Sequence, residues 1–162
     1  KDNSGFCLLI DIGGGTVDLV GFVAGMPDGN YAISDKAALY CINRVNEEMV
    51  ARLGTSVPPF FIESFMRYGD YECPDKYRIE ITKCLREYSS EIYDIIQSNN
   101  YNLDLTNMVF MGGGASIIQH FGNNKDRNVK FVTDVCANAK GCEEAVKSIM
   151  RARRKIQNER TA

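Results

Sequence analysis

Runs of apolar residues divide the chain into segments with strand-like and helix-like spacing. Short apolar runs, most of them rich in β-branched and aromatic residues, predict five strands, at residues 6–10, 17–23, 31–34, 107–111 and 128–132. Apolar residues at helical spacing, with glycine stops, predict five helices, at residues 36–53, 60–69, 75–98, 117–121 and 142–155. This order predicts an α/β fold in which an antiparallel meander is extended by parallel strands, with helices on both faces of one mixed sheet.

The turn between the first two predicted strands carries the clearest chemistry. It reads Asp-Ile-Gly-Gly-Gly-Thr-Val-Asp, and its candidate functional residues are Asp11, Gly13, Gly14, Gly15, Thr16 and Asp18. Three residues without Cβ let backbone N–H groups converge on an anion, and the Thr16 hydroxyl adds a donor. Carboxylates beside such a nest indicate a cation next to a phosphate, a position that suits Mg²⁺.

The residues after this turn exclude two common phosphate-binding loops. A dinucleotide turn opens a helix, and a Walker loop contains Gly-Lys followed by Ser or Thr, whereas this turn enters a strand. A tight hairpin without a ligand is the simpler alternative for residues 13–15.

A second glycine-rich turn follows the fourth predicted strand and leads into a helix. Its candidate residues are Gly112, Gly113, Gly114, Ala115 and Ser116. Consecutive glycines let a flat ring approach the backbone, although strand-to-helix turns of this kind are common in α/β proteins.

The two turns, in this order, resemble motifs of the actin-like ATPase superfamily, which includes actin, sugar kinases, chaperone ATPases and bacterial filaments. Residues 11–18 resemble its second phosphate motif, and residues 112–116 resemble its adenosine motif. Residues 137–141, Ala-Asn-Ala-Lys-Gly, are similar to its second connecting motif, in wording closest to the plasmid-segregating StbA/ParM group. Relatives in that group often carry an aromatic residue where this chain has Cys142.

The resemblance implies one RNase-H-like domain over residues 1–162, with a small helical insert around residues 54–75. It further implies the C-terminal lobe of a two-lobed ATPase, whose first lobe is absent from this chain. A chain that begins without Met, directly before a predicted buried strand, also suggests a piece of a longer protein.

The resemblance also implies a role for each candidate residue in binding ATP and Mg²⁺. Asp11 would hold Mg²⁺ through water and help to orient the attacking water. Residues 13–16 would bind the β- and γ-phosphates, and residues 112–116 would bind the adenosine. Asp18 would lie behind the phosphate-binding residues and support them. Glu63 and Arg67, one helical turn apart, would touch the ribose and base; a surface ion pair at that spacing is the alternative.

Composition narrows the class of protein only a little. With 162 residues, 44% of them apolar and 25% charged, the chain suits one ordinary globular domain, and its net charge of -2 does not favour nucleic acid or acidic membranes. No apolar stretch is long enough for a membrane span. The six cysteines contain no C-x-x-C pair and are interpreted as structural thiols in a reducing cytoplasm, and His120 as an ordinary helix residue.

These expectations combine into a hypothesis about function. The chain is expected to be the ATP·Mg-binding lobe of a bacterial or phage actin-like ATPase, inactive alone, whose full-length form hydrolyses ATP to control filament assembly. Its expected partners are the first lobe, further copies of itself and a DNA-bound adaptor. A sugar or acid kinase lobe and a non-hydrolysing adaptor module are the alternatives. The basic residues at 151–160 are interpreted as a solvated helix end or as a filament contact.

Overall fold

A computed structural model of the chain shows one five-stranded sheet with helices packed against it. It describes residues 5–125, 127–132, 134, 136, 139–141, 143, 144, 146, 147, 150 and 151. The elements are β1 Phe6–Ile12, β2 Val17–Val23, β3 Met26–Ser34, α1 Ala38–Leu53, α2 Pro59–Tyr68, α3 Asp75–Ser98, β4 Asn107–Met111, α4 Ala115–Phe121 and β5 Val129–Phe131.

The strands lie in the order β3-β2-β1-β4-β5. β1 to β3 form an antiparallel meander, and β4 and β5 continue the sheet parallel to β1. The predicted α/β fold with a mixed sheet is therefore confirmed.

The hairpin between β2 and β3 differs from the sequence prediction. The predicted turn at residues 26–30 lies inside β3, and the chain instead reverses at Ala24 and Gly25, where Val23 pairs with Met26. Both turn residues have positive φ, 50° and 78°, as a two-residue type I′ turn requires. Alanine rarely adopts this conformation, which explains why the sequence pattern pointed to the Pro-Asp-Gly segment instead.

The main core lies on one face of the sheet. From β3 the chain crosses to β4 through α1, α2 and α3, and from β4 to β5 through α4, moving across the sheet in the same direction each time. Right-handed crossovers in one direction place their helices on one face. Accordingly Leu8 and Ile10 of β1 are buried in this core, whereas Cys7 and Leu9, which point to the other face, are only half-buried. The predicted buried strand is therefore fully buried on one face only.

Helices α1 and α3 pack against each other through buried residues and ion pairs. Cys41 and Met49 of α1 and Tyr88 of α3 belong to the core. Around them, Lys36 and Arg44 pair with Glu91, Arg44 also with Glu87, and Arg52 with Glu80. The Tyr88 hydroxyl donates to the Lys36 carbonyl at 2.9 Å, so the buried hydroxyl is satisfied.

Further sequence predictions concern the end of α1, the cysteines, the last helix and membrane spans. Helix α1 ends at Gly54 as predicted, with φ 69°. The described cysteines are free thiols. Of the last predicted helix, residues 143, 144, 146, 147, 150 and 151 are helical, and the remainder, like most of the basic segment 151–160, lies outside the described residues. Within the described part of the chain, no helix is long and apolar enough to cross a membrane.

Candidate functional site

The first glycine turn closes the hairpin between β1 and β2. Ile12 pairs with Val17, and the Gly13 N–H donates to the Thr16 carbonyl at 2.9 Å. None of the three glycines has positive φ. A Cβ added at Gly14 or Gly15 would meet no atom within 4 Å. The chain's own conformation and packing therefore leave Gly14 and Gly15 open, and the absence of side chains there provides room for an external group.

Helix α1 fixes the orientation of this turn. Its first N–H groups, those of Ala38 and Leu39, donate to the carbonyls of Gly13 and Gly14, each at 3.1 Å. In a trans peptide the N–H points opposite to the preceding carbonyl. Because both carbonyls face α1, the N–H groups of Gly14 and Gly15 face away from it, as an anion nest requires.

The apolar pattern of the sequence does not predict this contribution of α1. The N-cap residue Ala37 makes no side-chain hydrogen bond to the helix. Helix N-termini need acceptors for their first N–H groups, so an alanine cap is a signal that the acceptors lie elsewhere in the chain.

The Thr16 hydroxyl is engaged within the turn. It donates to Oδ2 of Asp18 at 2.8 Å, since a carboxylate can only accept. The predicted role of Thr16 as a phosphate donor would require the hydroxyl to turn from Asp18 to the ligand, and it stays a prediction. Asp18 accepts this hydrogen bond, and its expected supporting role behind the turn stays a prediction.

Asp11 and Asp18 lie directly opposite each other on β1 and β2. Paired residues of an antiparallel ladder project from the same face, which brings two carboxylates to one side of the turn. Among the described residues, no group of three or more His, Cys, Asp or Glu side chains forms a metal site by itself. A divalent cation near Asp11 would therefore need most of its ligands from phosphate oxygens and water, which is the usual situation for Mg²⁺.

The second glycine turn packs against the end of β1. Gly112 has φ 84°, and a Cβ there would lie 2.6 Å from the Ile12 carbonyl oxygen and would also overlap the Asp11 carboxylate. A Cβ at Gly114 would lie 3.0 Å from the Ile12 Cβ. Gly113 between them is exposed, and a Cβ there would meet nothing within 4 Å. Two of the three glycines thus permit close packing, and the third borders open space.

The two turns meet at one edge of the sheet. β1 and β4 are parallel neighbours, with Asp11 paired to Met111, so both turns leave from the same strand ends. The Gly114 N–H donates to the Ile12 carbonyl at 2.9 Å. Both glycine turns therefore open on the same side of the sheet, beyond the ends of β1 and β4. In open parallel sheets, ligands bind beyond the carboxyl ends of the strands.

The remaining predicted site residues lie on two helices, α4 and α2. Ala115 is buried in the first turn of α4, and the Ser116 hydroxyl lies 3.5 Å from the Gly113 carbonyl. Glu63 and Arg67 are exposed on α2, and the structure describes no ion pair between them. Helix α2 contacts α4 through His120. The His120 ring lies against Gly69, and its Nε2 lies 3.1 Å from the Arg67 carbonyl oxygen, within hydrogen-bond distance. From the sequence, His120 was predicted to be an ordinary helix residue without this contact.

Comparison with known proteins identifies solved structures with a similar fold. No family model and no curated protein sequence matches the chain. The archaeal actin homologue Ta0583 superposes with a TM-score of 0.69 at 18% identity, covering 91% of this chain and 50% of that one. MreB5 of Spiroplasma citri bound to AMPPNP gives 0.66 at 17% identity, over 92% and 56%. ParM of Bacillus thuringiensis with ATP gives 0.57 at 10% identity, over 80% and 42%.

The chain therefore has a mixed α/β fold similar to part of these actin-like structures. It spans about half the length of the solved chains that it matches. The resemblance drawn from the two glycine motifs is confirmed at the level of the fold, and ParM structures are among those that match.

Proposed function

We propose that the chain is the second lobe of an actin-like ATPase and that it binds ATP with Mg²⁺ at the two meeting turns. The observation that carries this proposal is the hydrogen bond between the Gly114 N–H and the Ile12 carbonyl. It joins a turn with outward N–H groups to a turn with an exposed glycine. A ligand with an anionic end and a flat end fits such a pair.

In this proposal each turn binds one end of the nucleotide. The N–H groups of Gly14 and Gly15 donate to phosphate oxygens, and α1 holds their peptides in that orientation. Gly113 borders the base and ribose. Mg²⁺, when bound, supplies positive charge to the phosphates. Asp11, which lies against Gly112, accepts hydrogen bonds from the water around the metal and helps to orient the attacking water.

The proposal extends from this lobe to the activity and assembly of the whole protein. The chain spans about half of the matched chains, so a first lobe on the opposite side of the nucleotide completes the site. The two-lobed protein hydrolyses ATP and assembles into filaments of a cytoskeletal or plasmid-segregating kind, in the cytoplasm, with a DNA-bound adaptor as a partner. A non-hydrolysing adaptor of the same fold would bind ATP and lack turnover even with both lobes, and a sugar or acid kinase would transfer phosphate to an acceptor hydroxyl.

The experiment uses the glycines whose missing side chains border open space. In Gly14→Ala and Gly113→Ala, the added methyl meets no atom of the chain, so the fold is preserved while the ligand space is reduced. Calorimetric titration with ATP·Mg should give a dissociation constant of about 0.1 mM or poorer for the parent chain, because a single lobe lacks the gain from linked binding. Each variant should bind at least about tenfold more weakly.

Gly5→Ala is the matched control. A Cβ at Gly5 meets only the Asn107 side chain, at 3.8 Å, at the opposite end of β1. Its ATP affinity should equal that of the parent, and the melting temperatures of all three variants should agree. A parent chain that does not bind ATP·Mg at millimolar concentration, or variants that bind as well as the parent, would contradict the proposal.

A further inference from the structure

Arg127, in the loop between α4 and β5, has no acidic partner in the described part of the chain. Other arginines pair with carboxylates, as Arg44 does with Glu91 and Arg52 with Glu48. Nη1 of Arg127 is buried and makes no hydrogen bond to the described residues. A buried charged donor without a partner is unfavourable, so an anion that binds this guanidinium meets an uncompensated positive charge.

Aromatic stacking holds the Arg127 side chain in position. Its guanidinium lies over the Tyr93 ring, 4.3 Å from the ring centroid, a distance typical of cation–π contacts. The Tyr93 hydroxyl donates to Oδ1 of Asn124, and Nδ2 of Asn124 donates to the Ile118 carbonyl at 2.8 Å. Tyr93 is therefore fixed to α4, and the guanidinium is positioned before a ligand binds. A group that is fixed in advance loses less entropy on binding.

Arg127 lines an open cavity between α3 and the α4–β5 loop, which we call the Arg127 cavity. Its volume is about 390 Å³, within the range of small-ligand sites. The α4–β5 loop lies where β5 begins, and β5 is parallel to β4. The cavity therefore lies at the opposite end of the sheet from the two glycine turns and is separate from the proposed nucleotide site.

The charges around the Arg127 cavity favour a ligand group with a single negative charge. Arg86 and Arg127 line the cavity with one carboxylate, Asp94, and no ion pair joins Asp94 to either arginine in the described chain. Asp104 lines a second cavity on the other side of Arg127, again without a described ion pair to it. Repulsion from Asp94 increases with the charge of the ligand, so a carboxylate is favoured over a phosphate group, which carries about -1.5 to -2 at pH 7.

The uncharged lining of the Arg127 cavity suits a peptide. The exposed side chains of Ser90, Gln97 and Asn123 both donate and accept hydrogen bonds, as a peptide backbone does. Leu103 and Phe121 offer apolar surface to the methylene groups of an acidic side chain.

We propose that the Arg127 cavity binds an aspartate or glutamate side chain from an acidic segment of a partner protein. The planar fork of the Arg127 guanidinium matches the two carboxylate oxygens, and Arg86 adds attraction from α3. A short acidic peptide should bind with a dissociation constant on the order of 0.1 mM, because one charge-assisted contact dominates. The proposal does not depend on nucleotide binding.

The probe is an acetylated and amidated tetraglutamate peptide, titrated into the ¹⁵N-labelled chain. The amides of Leu103, Asn123 and Arg127 should shift together as the peptide binds. Tetraglutamine, the neutral counterpart, should leave them unchanged at the same concentrations. The shifts also locate the peptide, since an anionic peptide that binds at the phosphate turn instead shifts the amide of Gly14.

Three substitutions test the charges one at a time. Arg127→Gln should weaken peptide binding at least about tenfold. Asp94→Asn removes the opposing carboxylate from an exposed position and should strengthen binding about two- to fivefold, so it tests the proposal even if Arg127→Gln unfolds the chain. Lys125→Gln is the matched control, because it removes one positive charge from the same loop outside the cavity lining, and binding should stay within about twofold of the parent.

Several outcomes would overturn the proposal. One is a peptide that shifts none of the cavity amides at about 5 mM. Others are equal binding of tetraglutamine, or an Asp94→Asn variant that binds the peptide no more tightly than the parent. Inorganic phosphate that shifts the same amides at lower concentrations than the peptide would assign the cavity to a phosphate group and would also overturn it.

Discussion

Gly112 and Gly113 are adjacent in sequence, and each has a different physical reason to be glycine. Gly112 has positive φ and lies against the end of β1, so both its conformation and its neighbours exclude a side chain. Gly113 has neither restriction. The sequence predicted a glycine turn at this point, but it could not separate the glycine that the fold needs from the one that leaves space for a ligand.

This difference predicts that substitutions at the two glycines have unequal effects on stability. Gly112→Ala should reduce the free energy of unfolding by about 2 kcal/mol, because the methyl is strained at this φ and overlaps the Ile12 carbonyl oxygen. Gly113→Ala should change it by less than about 0.5 kcal/mol. Urea unfolding of both variants with a common m-value measures the difference. Equal effects of the two substitutions would mean that the close contact of the second turn with β1 is not formed.

Thr16 shows a contact that the sequence did not predict at the scale of one residue. Its position next to three glycines predicts a donor for phosphate, and this stays a prediction. In the structure its hydroxyl donates to Asp18, two residues further along the chain. Side chains two positions apart on an extended chain project to the same side, which brings the hydroxyl and the carboxylate together.

Helix α1 is the element that links the phosphate turn to the core. Its first N–H groups bond the turn, and its buried side packs on α3. Apolar spacing and Gly54 were sufficient to predict the helix and its end. The contact with Gly13 and Gly14 was not predictable from spacing, because it depends on how the helix docks against the sheet.

The α1–α3 interface predicts an unreactive thiol. Burial raises the pKa of Cys41 to about 12, against an ordinary value of 9.0. The folded state therefore holds this proton more tightly. The corresponding stabilisation is complete below pH 9.0 and is lost as the pH rises towards about 12.

At pH 8 Cys41 should resist N-ethylmaleimide in the folded chain and react after unfolding, whereas the exposed Cys136 should react at once. Mass spectrometry of peptides after a short pulse of reagent distinguishes the two sites. Labelling of Cys41 as rapid as that of Cys136 would show that α1 does not stay closed against α3.

At the scale of the whole molecule, the sheet topology explains where the core and the candidate site lie, which the apolar pattern of the sequence alone could not. The order of strands and helices was readable from the sequence, and so was the mixed sheet. The one-sided core was not, because it follows from both crossovers moving in the same direction across the sheet. The same topology places the ends of β1 and β4 side by side, which turns two separate glycine motifs into one candidate site.

The central claim is that ATP·Mg binds where these two turns meet. The most direct measurement is a titration of the ¹⁵N-labelled chain with ATP·Mg, followed through the backbone amide resonances. The amides of Gly14, Gly15 and Gly113 should shift together with one dissociation constant of about 0.1 mM or poorer, and inorganic triphosphate should shift only the first two. Amides of β3 serve as internal controls and should stay unchanged. Shifts confined to other parts of the chain, or separate affinities at the two turns, would contradict a single nucleotide site.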